Sequence, residues 1–168
     1  MQLVCSYCRK DLGKKPPFDD ASLTHGMCKG CGEYFSAQWG GISYGEYLGR
    51  FEFPVVMVEG EGRVVAINRP ACDFLGRRPG DVVGLLGGEA LECAHARLPE
   101  GCGKTVHCST CAIRNSVTRT HQTGEPLRRV PARLRRSDRT FDLLVSTALE
   151  GRLVRVTIEP AGAAPPAS

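Results

Sequence analysis

Cysteine offers the most chemistry in this chain: eight of its nine cysteines fall into two groups of four, each closing on a Cys-x-x-Cys pair. The first group is Cys5, Cys8, Cys28 and Cys31, spaced C-x2-C-x19-C-x2-C, an array of the kind that holds a structural zinc ion. The second is Cys93, Cys102, Cys108 and Cys111, spaced C-x8-C-x5-C-x2-C. Four thiolates are soft ligands that suit zinc and an iron–sulfur cluster alike, so the second spacing fits a metal centre without naming its metal.

Dense cysteine also occurs in disulfide-stapled secreted proteins, so the compartment bears on the chemistry. Met1-Gln2-Leu3-Val4-Cys5 has no basic region followed by an apolar stretch and a small-residue cleavage site. The longest apolar runs, such as Val55-Val56-Met57-Val58, have the length of a strand and not of a membrane span. A soluble, reducing, cytoplasmic setting without membrane contact is expected, and there paired cysteines bind metal more often than each other. Composition is that of a globular protein, with 42% hydrophobic and 24% charged residues. The formal charge of +4 is no argument for nucleic acid. Two tetrathiolate zinc sites at about −2 each would cancel it.

The elements that must position these residues can be read along the chain. Residues 1–36 are too few to bury a core of their own, so a metal crosslink is physically needed there. Gly30 and Gly32 suit tight knuckles whose backbone N–H groups point at sulfur. Ser43-Tyr44-Gly45-Glu46 has the form of a capping box opening a linker helix within residues 37–52, with Tyr47, Leu48 and Phe51 on its apolar side and Pro54 ending it. Val55 to Glu59 and Arg63 to Asn68 form a hairpin about Gly60-Glu61-Gly62. Asn68 caps a short helix with Pro70 in its first turn, and Pro79 to Gly84 is another brief helical turn. After the second cysteine group, Ser109 to Thr123 is predicted as a helix, with Cys108 and Cys111 at its positive end, where its dipole favours thiolate. A β-meander follows and includes the alternating strands Phe141 to Leu149 and Val154 to Ile158. Residues 161–168 are Ala/Pro-rich and read as a disordered tail.

This order of strands and helices gives an α+β fold, an antiparallel sheet with helices on one face. It resembles a PAS domain. The resemblance is carried by Phe53-Pro54-Val55-Val56-Met57-Val58, by Gly62 to Asn68 leading to Phe74-Leu75-Gly76, by Pro79-Gly80-Asp81-Val82-Val83-Gly84, by Thr123-Gly124-Glu125-Pro126 and by Val154 to Glu159. It implies a five-stranded PAS-like sheet over residues 53–160. The N-terminal residues Cys5-Ser6-Tyr7-Cys8-Arg9-Lys10 and Thr24-His25-Gly26-Met27-Cys28-Lys29-Gly30-Cys31 resemble a CSYCxK…SHGxCxxC zinc module that accompanies some bacterial PAS and response-regulator proteins. Thr24 stands for its serine. A small zinc-ribbon-like module is therefore expected to precede the sheet. The segment Leu91 to Cys111 is similar to a cysteine-rich PAS variant of bacterial signalling proteins. That likeness implies a redox-, oxygen- or metal-responsive centre at Cys93, Cys102, Cys108 and Cys111, holding an iron–sulfur cluster or a second zinc.

Other candidate residues read more plainly. Cys72 is a small residue packing inward from its helix. The Asn-Cys-Arg-Phe-Leu-Gln element by which photosensory PAS domains attach flavin has no counterpart after Gly84. His107 and His121 flank the long helix and read as surface or supporting donors, and His25 as a partner of the zinc knuckle or a solvated residue. The six arginines between Arg128 and Arg139 lack the interleaved aromatics of a nucleic-acid platform, so they read as a solvated face. No nucleophile elbow, phosphate loop or catalytic carboxylate pair is present, and no output segment is recognised, so an enzyme is not expected. The expectation is a bacterial sensor that relays the state of its second cysteine centre to a signalling partner or across a homodimer formed through the linker helix. The alternatives are a structural adaptor with two inert zinc sites, and nucleic-acid binding through Lys10, Lys14, Lys15 and Lys29 of the zinc module.

Overall fold

The computed structural model describes residues 1–5, 8–38 and 44–162, with the side chains of all of these but residues 25, 34–38 and 44. The chain opens with three four-residue strands, β1 (Gln2–Cys5), β2 (Asp11–Lys14) and β3 (Leu23–Gly26), in a sheet of order β2-β1-β3. β1 pairs antiparallel with β2 and parallel with β3. Helix α1 (Lys29–Gln38) begins at the second cysteine pair, and α2 (Tyr44–Gly49) follows. The short linker helix read within residues 37–52 corresponds to α2, and α1 reaches Gln38 before it. Ser43 of the capping box and the tail from residue 163 lie outside the described residues.

The rest is one antiparallel sheet and its cover. β4 (Val55–Val58) and β5 (Val64–Ile67) form the hairpin the glycine turn predicts. α3 (Arg69–Leu75), α4 (Pro79–Val82) and α5 (Gly87–Ala90) come next, then 3-10 turns at Ala94–Arg97 and Val106–Thr110, and α6 (Ala112–Thr123). β6 (Leu127–Arg135), β7 (Thr140–Glu150) and β8 (Leu153–Pro160) complete a five-stranded sheet of order β5-β4-β8-β7-β6, antiparallel throughout. α6 starts three residues later than the sequence pattern predicts. The hydroxyls of Ser109 and Thr110 donate to the carbonyls of Val106 and His107, which satisfies those acceptors locally and favours a 3-10 turn over a continuous helix.

Both faces of the sheet are covered, which explains why β4 is an unbroken apolar run instead of an alternating one. Val56, Val58, Val64, Val145, Val156 and Ile158 pack with Leu75, Val82, Ala90, Leu91 and Val117 from the helices. Val55, Met57, Val65, Ala66 and Leu153 face the other way, against Leu48 of α2 and against Cys5 and Cys31. The expected helices thus lie on one face, and α2 and the cysteine module close the other. α2 is tied down by polar contacts as well. The Tyr47 hydroxyl donates to Glu150 at 2.5 Å, and Arg155 stacks over the Phe51 ring at 4.9 Å.

Asn68 joins the two halves of this arrangement. Its Oδ1 accepts from the N–H groups of Val55 and Ala71, each at 3.0 Å, so it both caps α3 and fixes β4. Its Nδ2 donates to the carbonyls of Phe51 and Phe53. Replacing this buried residue leaves several backbone groups without partners. Asn68→Ala is expected to lower stability by about 2 kcal/mol or more. Asn68→Asp, which keeps the acceptor and loses the donors, is expected to fall between it and the wild type. Urea denaturation followed by circular dichroism checks both, and an unchanged midpoint for Asn68→Ala would contradict the role.

Candidate metal centres

The first cysteine group converges on one point. Cys5 ends β1, Cys28 immediately precedes α1 and Cys31 lies in its first turn. The four sulfurs all lie within 4.8 Å of one another, with Cys8 and Cys28 at 3.6 Å. Tetrahedral zinc with bonds of about 2.3 Å needs sulfurs about 3.8 Å apart, so the set fits a single ion. The second pair is a helix start and not the glycine knuckle expected of it. Sulfur nevertheless accepts backbone N–H as that reading requires, from Cys28 to Cys5 and from Cys31 to Cys28, each at 3.4 Å. Burial raises the Cys5 thiol, but the N–H groups of Cys8 and Cys28 and the sulfurs of Cys8 and Cys31 outweigh it and leave the group lowered. Cys31 is pushed far up, by burial first and then by the sulfurs of Cys28, Cys8 and Cys5. Four thiols this close do not ionise together unless a cation sits among them, and a divalent metal can serve as that cation.

The second group is arranged differently. Its four cysteines line a cavity of about 430 Å³ between the helices and the inner face of the sheet, with Val56, Val58, Val64, Leu75, Val117 and Ile158 among its walls. Among the described residues, the first group is the one set of three or more metal-ligating side chains drawn within 4.8 Å. No three of the sulfurs of Cys93, Cys102, Cys108 and Cys111 lie mutually that close. All four are free thiols.

Each is held by its own device. The Cys93 N–H donates to the Gly88 carbonyl at 2.7 Å, and just before it Arg136 binds the Leu91 carbonyl at 3.0 Å while its guanidinium lies over Phe74 and Phe141. The Cys102 sulfur fills the space beside Gly88, where a Cβ would lie 2.6 Å from it. Cys108 sulfur accepts from the Gly103 N–H at 3.1 Å and meets the Thr105 hydroxyl at 3.2 Å. Cys111 is the N-cap of α6, and Cys108 lies in the 3-10 turn before it, not on the helix. Burial raises the Cys108 thiol, yet Thr105, the Gly103 N–H and the Arg114 guanidinium outweigh it and leave it lowered. Burial keeps Cys102 raised. Cys108 is thus the thiol that its surroundings make more acidic, and Cys102 the one they make less so.

No family model and no curated protein matches the chain. Solved structures do. A LOV protein of Rhodobacter sphaeroides is 18% identical at a TM-score of 0.53, over 76% of this chain and 68% of that one. The photoactive yellow protein domain of the sensor histidine kinase Ppr of Rhodospirillum centenum is 13% identical at 0.50, over 73% and 97%. The PAS domain of nitrogen regulation protein NR(II) of Vibrio parahaemolyticus is 12% identical at 0.50, over 69% and 95%. The fold is a PAS fold.

The remaining candidates take their places on the PAS sheet. Cys72 packs against the inner core and is raised by burial and by Asp73. The side chain of His25 lies outside the described residues. His107 stacks face to face with His95 at 4.0 Å beside the cysteines of the cavity. His95 was not predicted, and its signal is its place two residues after Cys93, matched by His107 directly before Cys108. Arg128, Arg133, Arg135 and Arg139 of the arginine run are exposed as expected, while Arg129 pairs with buried Glu159 at 2.5 Å and Arg136 is the clamp described above. Arg9 of the cysteine module reaches Glu59 on the hairpin at 2.6 Å, a contact no local pattern announces. Burial raises the Glu59 carboxyl against the opposing pull of Arg9 and Arg63. Among the described residues no helix is long and apolar enough to cross a membrane.

The first centre is expected to bind one zinc per chain, in competition with protons for four sulfurs. Affinity should therefore rise with pH and fall steeply on acidification, as thiolates are lost. Chelator competition over a pH series measures this. Cys8→Ser and Cys28→Ser should each weaken binding by at least about 10-fold, and unchanged affinity in both would exclude the assignment.

Proposed function

We propose that the chain is a bacterial signal-transduction sensor, in which a PAS domain carries a redox-, oxygen- or metal-responsive centre at Cys93, Cys102, Cys108 and Cys111. The observation that carries the reading is the placement of all four thiols on a single apolar cavity of the helical side, the concave kind of site in which small ligands and cofactors are held. Their wide spacing favours a cluster of several irons over a single zinc ion, since a cluster spreads its thiolate ligands. Such a cluster supplies one-electron chemistry and sensitivity to oxygen. Arg114 supplies a positive charge beside thiolates that would otherwise repel one another. Zinc at Cys5, Cys8, Cys28 and Cys31 is structural.

Cys111 caps α6, so a change at the sulfurs acts on the start of that helix, which packs on β6, β7 and β8. The sheet then passes the shift to α2 through Glu150 and Tyr47. The recipient is a signalling protein or a second copy docked through α2 and the PAS sheet. The protein has no catalytic activity of its own in this reading. The fold is shared with a domain of a sensor histidine kinase and with a nitrogen regulation protein, which agrees with a place in a signalling chain.

Purified without air, the protein is expected to be brown, to hold iron in addition to one zinc per chain, and to bleach on exposure to oxygen. Cys108→Ser should lose the iron and keep the zinc. A colourless wild type with two zinc ions per chain, indifferent to oxidant, would overturn the sensor centre and leave a structural zinc adaptor.

A further inference from the structure

The two sulfur centres lie on opposite faces of the PAS sheet, and one short turn touches the supports of both. Arg9 directly follows Cys8, and its N–H donates to the Cys5 carbonyl at 2.9 Å, so its backbone is part of the N-terminal centre. Its guanidinium meets Glu59, a residue only 8% exposed, at the start of the β4–β5 turn. Glu59 and Gly62 close that turn at 2.7 Å, and the Gly62 carbonyl accepts from Gly87 at 2.8 Å. The next residue is Gly88, against which the Cys102 sulfur is seated. A second path reaches the same turn. α6 runs from Cys111 at its N-cap to His121 in its last turn, and the His121 ring occupies the place of a Gly60 side chain, where a Cβ would lie 2.5 Å from it.

We propose that the turn from Glu59 to Gly62 couples the two centres, so that zinc at Cys5, Cys8, Cys28 and Cys31 holds Cys102 in its seat against Gly88. The proposal rests on the reading of the first group as a zinc site. The metal fixes the loop from which Arg9 extends. Without it, Arg9 is released and the Glu59 carboxylate, still buried, keeps only the more distant of its two counterions, Arg63 at 3.4 Å, which costs more than losing an exposed pair would. The turn relaxes to hydrate that carboxylate, the Gly62–Gly87 bond loosens, and the seat of Cys102 at Gly88 opens. Coupling of this kind is reciprocal, so a change at the seat of Cys102 alters zinc affinity by the same factor.

The test uses the full chain, reduced and free of iron, in two forms: with one zinc per chain, and stripped by chelator. Alkylation of Cys102 and Cys108 by iodoacetamide is timed by mass spectrometry. Stripping should speed alkylation of Cys102 about 5-fold or more. Glu59→Gln and Arg9→Gln, each still binding zinc, should lose most of that difference. Equal rates with and without zinc in the wild type would overturn the coupling, as would the full zinc effect in both variants. So would the same protection in Cys8→Ser/Cys28→Ser, because zinc would then be acting directly at Cys102. Iron is absent throughout, so the result stands apart from what the second centre holds. A wild type that takes up no zinc removes both the zinc reading and the coupling, whereas bound zinc with equal rates removes the coupling alone.

Discussion

Four sulfur atoms within 4.8 Å of one another are the constraint on which the rest of this structure depends. Thiolates this close repel one another, and the surroundings lower the Cys5 thiol while burial and the neighbouring sulfurs push Cys31 up. A divalent cation reverses that penalty, and in small metal-bound peptides the exchange supplies about 10 kcal/mol or more of folding energy. Three strands of four residues each have little else to hold them. Cys5 and Cys31 are also members of the apolar cluster that covers Val55, Met57 and Leu153. The cysteine cluster and the outer cover of the sheet are therefore one object, and β4 is apolar on both faces because of it.

The same residue type is used in the opposite way on the inner face. There, Cys93, Cys102, Cys108 and Cys111 are spread around a cavity, each fixed by a separate contact: a backbone carbonyl, a missing Cβ, a pair of sulfur-directed donors, a helix N-cap. Spread thiols do not lock one ion tightly. They surround a volume, and their differing environments leave Cys108 lowered and Cys102 raised. A compact group is suited to permanence and a spread one to change, and the sheet between them carries both.

Much of this was legible in the sequence. Gly60-Glu61-Gly62 between two β-branched runs announced the hairpin, and Asn68 before Pro70 announced the cap of α3. The two cysteine arrays were evident from spacing alone. What escaped was set by contacts distant in sequence or by local competition. The strands β1 to β3 are too short for a periodic signal, and they exist because the cysteine pairs bring their ends together. The late start of α6 reflects hydroxyl-to-carbonyl bonds at Ser109 and Thr110 that no hydrophobic pattern reveals. His95 meets His107 only when two 3-10 turns are folded against each other, and Arg9 finds Glu59 across fifty residues of chain.

In the function proposed, one chain builds two sulfur centres of different kind, a compact structural one on the outer face and a responsive one at the cavity. X-ray absorption on the anaerobic full-length protein reads both at once. The zinc edge should show a single shell of four sulfurs at about 2.3 Å. The iron edge should show sulfur ligation together with iron–iron scattering, the mark of a cluster. Zinc alone, two ions per chain in identical four-sulfur shells, would contradict the division between the two centres.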